Sequence, residues 1–223
     1  MTHDPFITGR RMGREGEPLV IIDDFHPDPE GLIADAAARK FGHGGAYYPG
    51  VRAPAPAAHL QPCQRVLGEV LSGAFGVSGA RLAETSYSLV TTRPADLSAI
   101  QRLPHYDGLA EDRIAVLHYL TGPEAAGTAF FRHRPTGFET ITEDRFRAYR
   151  DALSRDYPGG PPPGYFTGDA VFDAIDQVEA KFNRAVVYRG VTLHSGLIPD
   201  RFSFSADPRS GRLTVNTFLE GRR

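Results

Sequence analysis

Cysteine is almost missing from this chain: Cys63 is the single one in 223 residues. That excludes an intrachain disulfide and a cysteine-built zinc cluster. A lone cysteine on a helical stretch reads as a small buried apolar group. Charge of one sign is missing too. Acids and bases are scattered, with a formal net charge of -2, so neither a basic stripe for nucleic acid nor a charged block for a disordered tail is present. Long apolar runs are absent. Residues 1–18 are polar and rich in Gly and Arg, without the apolar core of a secretory leader, and no stretch is long enough to span a bilayer. No internal repeat is visible. The expectation is a soluble, cytoplasmic protein with no nucleic-acid and no membrane partner.

What is present is enough apolar residue, 41%, for a sizeable core, together with 24 Gly and 18 Pro. High Gly and Pro fit many short strands joined by turns. The run Leu19-Val20-Ile21-Ile22 closed by Asp23-Asp24 predicts a strand. Residues 27–40 predict a helix, with Asp28 as cap, Pro29 in the first turn and Leu32, Ile33 and Ala36 as its apolar stripe. Residues 42–56 lack periodicity and read as a loop. A second helix is predicted over 61–75 from Val66, Leu67, Val70, Leu71 and Phe75. From Leu82 the pattern changes to strands, over 83–92, 113–120 and 127–132. Helices are predicted over 143–154 and 171–180, then strands over 183–189 and 212–219. The organisation expected is one domain. Residues 1–81 form a strand-and-helix support, and residues 82–220 a β body with a helical insertion near 143–180. Runs of short strands point to a sandwich, barrel or jelly roll.

The stretch Leu103-Pro104-His105-Tyr106-Asp107-Gly108 stands out. In extended chain, residues two apart face the same way, so His105 and Asp107 would point together. Leu193-His194-Ser195-Gly196 offers a distal histidine. Two histidines and one carboxylate make a facial set that leaves the opposite positions on a metal open. Taken alone, a His-x-Asp is more often a turn or a surface pair.

The last strand divides into two faces, Leu213, Val215 and Leu219 against Arg212, Thr214 and Asn216. The apolar face needs a hydrophobic layer, for which the N-terminal helices are candidates. The polar face is either solvated, as in many antiparallel sheets, or looks inward. In the second case Arg212 requires an anion, because a buried unpaired charge is very costly. Tyr47, Tyr48 and Arg52, in the unpatterned segment, either line a ligand mouth or pack the loop onto the body. His118 reads as a sheet histidine with a local partner. Arg132, His133 and Arg134 are either a solvated basic corner or contacts for an acidic substrate group.

These residues resemble a known superfamily. His105-x-Asp107, the distal His194 and Gly211-Arg212-x-Thr214 on the last strand are similar to the motifs of the Fe(II)- and 2-oxoglutarate-dependent oxygenases. The strand 114–120 followed by Gly127-Thr128-Ala129-Phe130-Phe131 resembles the prolyl-4-hydroxylase-like branch. Within that frame the chain is most similar to the DUF6445 family, over residues 86–219. The resemblance implies a double-stranded β-helix (jelly roll), mainly β, with an N-terminal helical layer on the outside. It implies His105, Asp107 and His194 as ligands of Fe(II), and Arg212 with Thr214 on the distal carboxylate of 2-oxoglutarate. Tyr87 and Thr128 are further candidates for cosubstrate contacts, and Tyr47, Tyr48, Arg52 and Arg132 for substrate contacts. Arg212 lies eighteen residues after His194, further than is usual in the family, which makes Arg201 a competitor. Related halogenases replace the carboxylate ligand by a small residue. Asp107 keeps it, so hydroxylation is expected, on a small-molecule or amino-acid-type substrate. A homodimer is the oligomeric state left open.

Three functions compete. One is an oxygenase. The second is a non-catalytic jelly-roll module that binds a metal or an acid. The third is a zinc hydrolase, which would need a general base beside the motif; none is tied to it. A pure binder has no need of open metal positions, so the triad with Arg212 favours the first.

Overall fold

A computed structural model describes residues 4–122, 127–199 and 202–222. Two antiparallel sheets form the body. The larger runs in the order β1 (Phe6–Met12), β2 (Glu17–Asp23), β9 (Arg184–Arg189), β6 (Arg113–Tyr119), β11 (Leu213–Arg222), β5 (Gly79–Val90), β4 (Gly50–Pro54), β3 (Gly42–His43). The smaller has the order β10 (His194–Leu197), β7 (Gly127–His133), β8 (Phe172–Glu179). Together they make a jelly roll, mainly β, and its inner faces enclose the apolar cluster of Leu19, Ala115, Leu117, Phe130, Val178, Val186 and Tyr188.

The outer face of the large sheet is covered by the two N-terminal helices. α2 (Gln64–Phe75) buries Val66, Leu67, Val70, Leu71 and Phe75 against Val20, Ile22, Ile114, Val116, Val187 and Leu219. Each such side chain contributes roughly 1.5–3 kcal/mol on leaving water. The helix stops at Gly76, whose φ of 66° suits glycine and closes the last turn onto Leu71. α1 (Pro29–Ala37) starts where Asp28 accepts a bond from the Gly31 amide at 2.9 Å. Its Leu32 and Ala36 meet Leu213 and Val215. The apolar face of the last strand therefore packs on the N-terminal helices, and Thr214 and Asn216 turn inward. The third helix, α3 (Glu143–Asp156), covers the outer face of the small sheet through Tyr149 and Ala152. No helix among the described residues is long and apolar enough to cross a membrane.

Three segments differ from the sequence reading. Residues 171–180, expected as a helix, form strand β8, which pairs with β7 from Gly127↔Glu179 to His133↔Phe172. A β-bulge at Phe130/Phe131 sets Ile175 out of register, and this interrupted alternation resembles a helical spacing. The helical insertion thus ends at Asp156. Residues 42–56 are not all loop: β4 pairs with β5 through Arg52↔Ser88 and Ala53↔Tyr87. The polar N-terminal segment supplies β1, an edge strand exposed along nearly its whole length. Its charges fit an edge that must not pair further, and Arg10 reaches across to Asp176 of β8 at 2.7 Å.

Candidate metal centre and its cavity

Pro104 excludes the helical region for the residue before it, and Leu103 is accordingly extended, with φ -121° and ψ 154°. The chain then runs beside β10. His105 and His194 exchange both backbone hydrogen bonds at 2.8 Å. Two residues on, the Asp107 amide donates to the Gly190 carbonyl at 2.7 Å. Backbone pairing alone thus brings three side chains distant in sequence to one point. His105 Nε2 lies 3.9 Å from Asp107 Oδ1, and His194 Nε2 lies 3.5 Å from Asp107 Oδ2. One ligand atom from each residue falls within 4.8 Å of the others.

The rings are oriented by their neighbours. His194 Nδ1 sits 2.9 Å from the Thr192 carbonyl, which can only accept. Nδ1 therefore carries the hydrogen and Nε2 keeps its lone pair. The Tyr188 hydroxyl lies 3.0 Å from that Nε2. Burial pushes the Tyr188 phenol well above its usual range, and the Asp107 carboxylate adds to this, so the group stays protonated and donates. His105 is held well below the usual imidazole range by burial, with the adjacent His194 ring, which would repel a second imidazolium, and the Arg52 guanidinium adding to it. It is neutral and able to ligate, although nearly half its side chain meets the cavity. Burial raises the Asp107 carboxyl, opposed by His194, Arg113 and Arg52.

The donor set fits a divalent transition metal. Atoms that share a metal at about 2.0–2.2 Å stand within about 4.4 Å of each other, and the two histidine–carboxylate separations, 3.5 and 3.9 Å, are within that limit. Asp107 Oδ2 is shut off from solvent and makes no close hydrogen bond; the Tyr188 hydroxyl, which also lies against His194, is the donor that acts on the carboxylate. A buried carboxylate oxygen without a close donor is costly, and a cation at this point would remove the cost.

The triad opens into a cavity of about 660 Å³, a size that encloses drug-sized ligands. Arg212, buried just before β11, donates to the Gly127 carbonyl at 3.0 Å and stands over the Tyr119 ring at 5.5 Å. Gly127 has a φ of 145°, and a Cβ there would come within 2.0 Å of the Val178 carbonyl, so only glycine presents its oxygen this way. Thr128 bonds the Tyr119 hydroxyl at 2.6 Å, and both are buried. Thr214 donates to Asn216 at 2.7 Å. Tyr48 and Arg52 line the same cavity, while Tyr47 is at its rim, 76% exposed.

Two candidate residues lie elsewhere. Tyr87 points out of the barrel: it packs beneath α1 and donates to Asp35 at 3.0 Å. Alternation along β5 sends Ser86 and Ser88 inward instead. Arg132 is engaged by Asp173 at 2.8 Å and Glu139 at 3.3 Å, away from the cavity. His133 is not a solvated corner but fully buried, 2.9 Å from Asp156. Arg201 lies outside the described residues. Sequence reasoning did not single out Tyr188, Tyr119 or Arg113. Strand alternation places Tyr188 inward with Val186, but its closeness to His194 arises only from the β9–β10 connection.

Comparison with known proteins now has a geometry to stand beside. The model of a "Family of unknown function (DUF6445)" matches residues 3–219. No curated protein matches the chain. Among solved structures, HygX from Streptomyces hygroscopicus with nickel and 2-oxoglutarate bound is similar at a TM-score of 0.52 and 13% identity, over 93% of this chain and 84% of that one. HygX with iron bound gives 0.51 and 13%, over 92% and 82%. The epimerase SnoN from nogalamycin biosynthesis gives 0.49 and 11%, over 91% and 77%. What this chain shares with HygX is the jelly-roll fold.

Proposed function

From the premise that the chain belongs to the DUF6445 family, whose function is unknown, we infer from its cavity an Fe(II)- and 2-oxoglutarate-dependent oxygenase that hydroxylates its substrate. The observation that carries this reading is the convergence of His105, Asp107 and His194 within 4.8 Å, with Asp107 Oδ2 shut off from solvent. The fold is shared with HygX, a protein solved with iron and with nickel and 2-oxoglutarate.

His105, Asp107 and His194 would hold the metal. Fe(II) with 2-oxoglutarate and dioxygen supplies oxidative decarboxylation of the 2-oxo acid to succinate, coupled to oxidation of a substrate C–H bond. The chain's own part is binding and placement. Neutral His105 and the fixed tautomer of His194 offer lone pairs. Tyr188, kept protonated, holds a hydrogen-bond donor beside both His194 and Asp107. Arg212, framed by Tyr119, Thr128 and Thr214, presents a guanidinium fork to the distal carboxylate of 2-oxoglutarate. Leu117, Phe218 and Ala115 form a dry wall on the sheet side.

Anaerobic titration of the purified chain with Fe(II), then 2-oxoglutarate, tests the reading. The weak visible charge-transfer band of an Fe(II)–2-oxo acid pair is expected at one equivalent of each, and slow succinate release on admitting air. No band and no succinate would overturn it. Tight metal and acid binding without succinate would mark the chain as a non-catalytic binding module.

A further inference from the structure

With Arg212 given to the cosubstrate, a second guanidinium in the cavity has no partner. Arg52 makes no hydrogen bond and no ion pair with any described residue, and its Nε is shut off from solvent. Its one close contact is the face of the Tyr48 ring, 4.3 Å from the ring centre. Arg52 is half-buried, and a cation–π contact alone leaves the donors of its guanidinium that face the cavity free for an anion. Arg52 sits where it does because of strand register. On the inner face, Arg52 of β4 lies opposite Ser88 of β5, which lies opposite Thr214 of β11.

A hydroxyl pair stands at the same place: the buried Tyr48 Oη lines the cavity and is within reach of Ser88 Oγ behind it, and neither has a further partner among the described residues. Two hydroxyls hold only one hydrogen bond between them, so one O–H beside the Arg52 guanidinium is left to meet an acceptor group. Arg113 also lacks an ion pair among the described residues, but it stacks on Phe218 at 4.3 Å, and its field falls on Asp107. Arg52 is near the metal ligands as well, since its charge acts on both His105 and Asp107. Beyond it the cavity wall turns apolar and aromatic through Tyr106, Phe146, Tyr149 and Leu153.

We propose that Arg52, with the Tyr48 hydroxyl and Ser88 behind it, is a carboxylate subsite, and that the substrate is a small carboxylic acid with an apolar or aromatic body. The acid group anchors on Arg52 and the body lies along the wall from α3. A carbon near the carboxylate is then presented to the triad. This rests on the oxygenase reading for the word substrate, but the anion site stands or falls separately.

The test uses the full chain loaded anaerobically with Fe(II) and 2-oxoglutarate, and in parallel without either. The probes are benzoate, 3-phenylpropionate and indole-3-acetate, each against its neutral amide, followed by calorimetry. At least one carboxylate is expected to saturate at or below millimolar concentration and to bind about 10- to 100-fold tighter than its amide, the worth of a charge-assisted hydrogen bond. Arg52→Ala should erase that preference, Arg52→Lys should restore part of it, and 2-oxoglutarate affinity should stay within about threefold. Partial rescue by lysine separates anion binding from a folding defect. Equal binding of acid and amide, or no saturable binding by any of the three acids, would overturn the subsite. So would a loss of preference in Arg113→Ala but not Arg52→Ala. A fall in 2-oxoglutarate affinity in Arg52→Ala, with the probes unaffected, would make Arg52 the cosubstrate anchor instead. If the probes behave as expected but no Fe(II)–2-oxoglutarate band forms, the oxygenase reading fails and the acid site remains.

Discussion

The hydroxyl of Tyr188 lies 3.0 Å from Nε2 of His194, the atom that faces Asp107. Nδ1 of that ring is committed to the Thr192 carbonyl. Nε2 is thus the atom left free to ligate, and with its lone pair on a metal the phenol would turn wholly to the Asp107 carboxylate, on which it already acts.

Two classes of variant separate these roles. His105→Ala, Asp107→Ala and His194→Ala should each abolish binding of one Fe(II) per chain, because the site loses a ligand. Tyr188→Phe should keep one metal per chain but bind it about 10–100-fold more weakly, the usual worth of a partner that orients a metal ligand. Anaerobic competition against a chelator measures both. Unchanged affinity in Tyr188→Phe would make the phenol a packing group only.

Arg212 is expected to carry 2-oxoglutarate. A charge-assisted hydrogen bond is worth about 1.5–3 kcal/mol, so Arg212→Ala should raise the dissociation constant of 2-oxoglutarate by about one to two orders of magnitude. Iron binding should survive, since the triad is intact. Arg212→Lys should recover only part, because an ammonium lacks the planar fork. Arg201→Ala is the comparison and should change little; a 2-oxoglutarate defect there, and not in Arg212→Ala, would move the anchor to Arg201.

Arg132 belongs to the frame of the small sheet. It joins Glu139, itself buried and held by the Arg14 and Glu15 amides, to Asp173. Arg132→Ala should leave 2-oxoglutarate affinity unchanged and lower unfolding free energy by about 1–3 kcal/mol, the cost of leaving part of a buried carboxylate unsatisfied. Urea unfolding beside the 2-oxoglutarate titration distinguishes the two effects.

How much was legible in the sequence follows from the range of each interaction. Helices α1 and α2 were readable because caps and 3.6-residue spacing are local. The faces of β11 were readable because alternation is local too. His105 and Asp107 could be paired by that same period. The partnership of Tyr188 with His194 could not, because it is made by the turn that carries the chain from β9 in one sheet to β10 in the other. Tyr87 illustrates the opposite failure. Leu89 shares its face and is apolar, so alternation in 86–90 already sends Tyr87 outward; only the polar tip, satisfied by distant Asp35, suggested a cavity role. Strand β8 was hidden because a bulge broke its period and because β7, its partner, lies forty residues upstream.

His118 gives the last prediction, on stability. It lies between the large sheet and the N-terminal helices, with Phe25, His26, His59 and Asn183 around it. Asn183 Nδ2 donates to the His26 carbonyl, so its Oδ1 is the acceptor for His118 Nε2–H at 3.0 Å. The ring is therefore neutral, with a buried Nδ1 that has no partner. Burial pulls its pKa down to about 3, with His26 and His59 adding to the fall and the Asn183 bond opposing it. In the unfolded chain the same group titrates near about 6.5. Between those values the unfolded state binds the extra proton, so the stabilisation present above about pH 6.5 is lost as pH falls. The loss is about 1.4 kcal/mol per pH unit from this group alone. His118→Gln keeps an N–H for Asn183 and removes the titration. Urea unfolding from about pH 6 to pH 4 should show wild type losing stability more steeply than His118→Gln by about that slope. Parallel curves would mean that His118 is not the buried neutral group described.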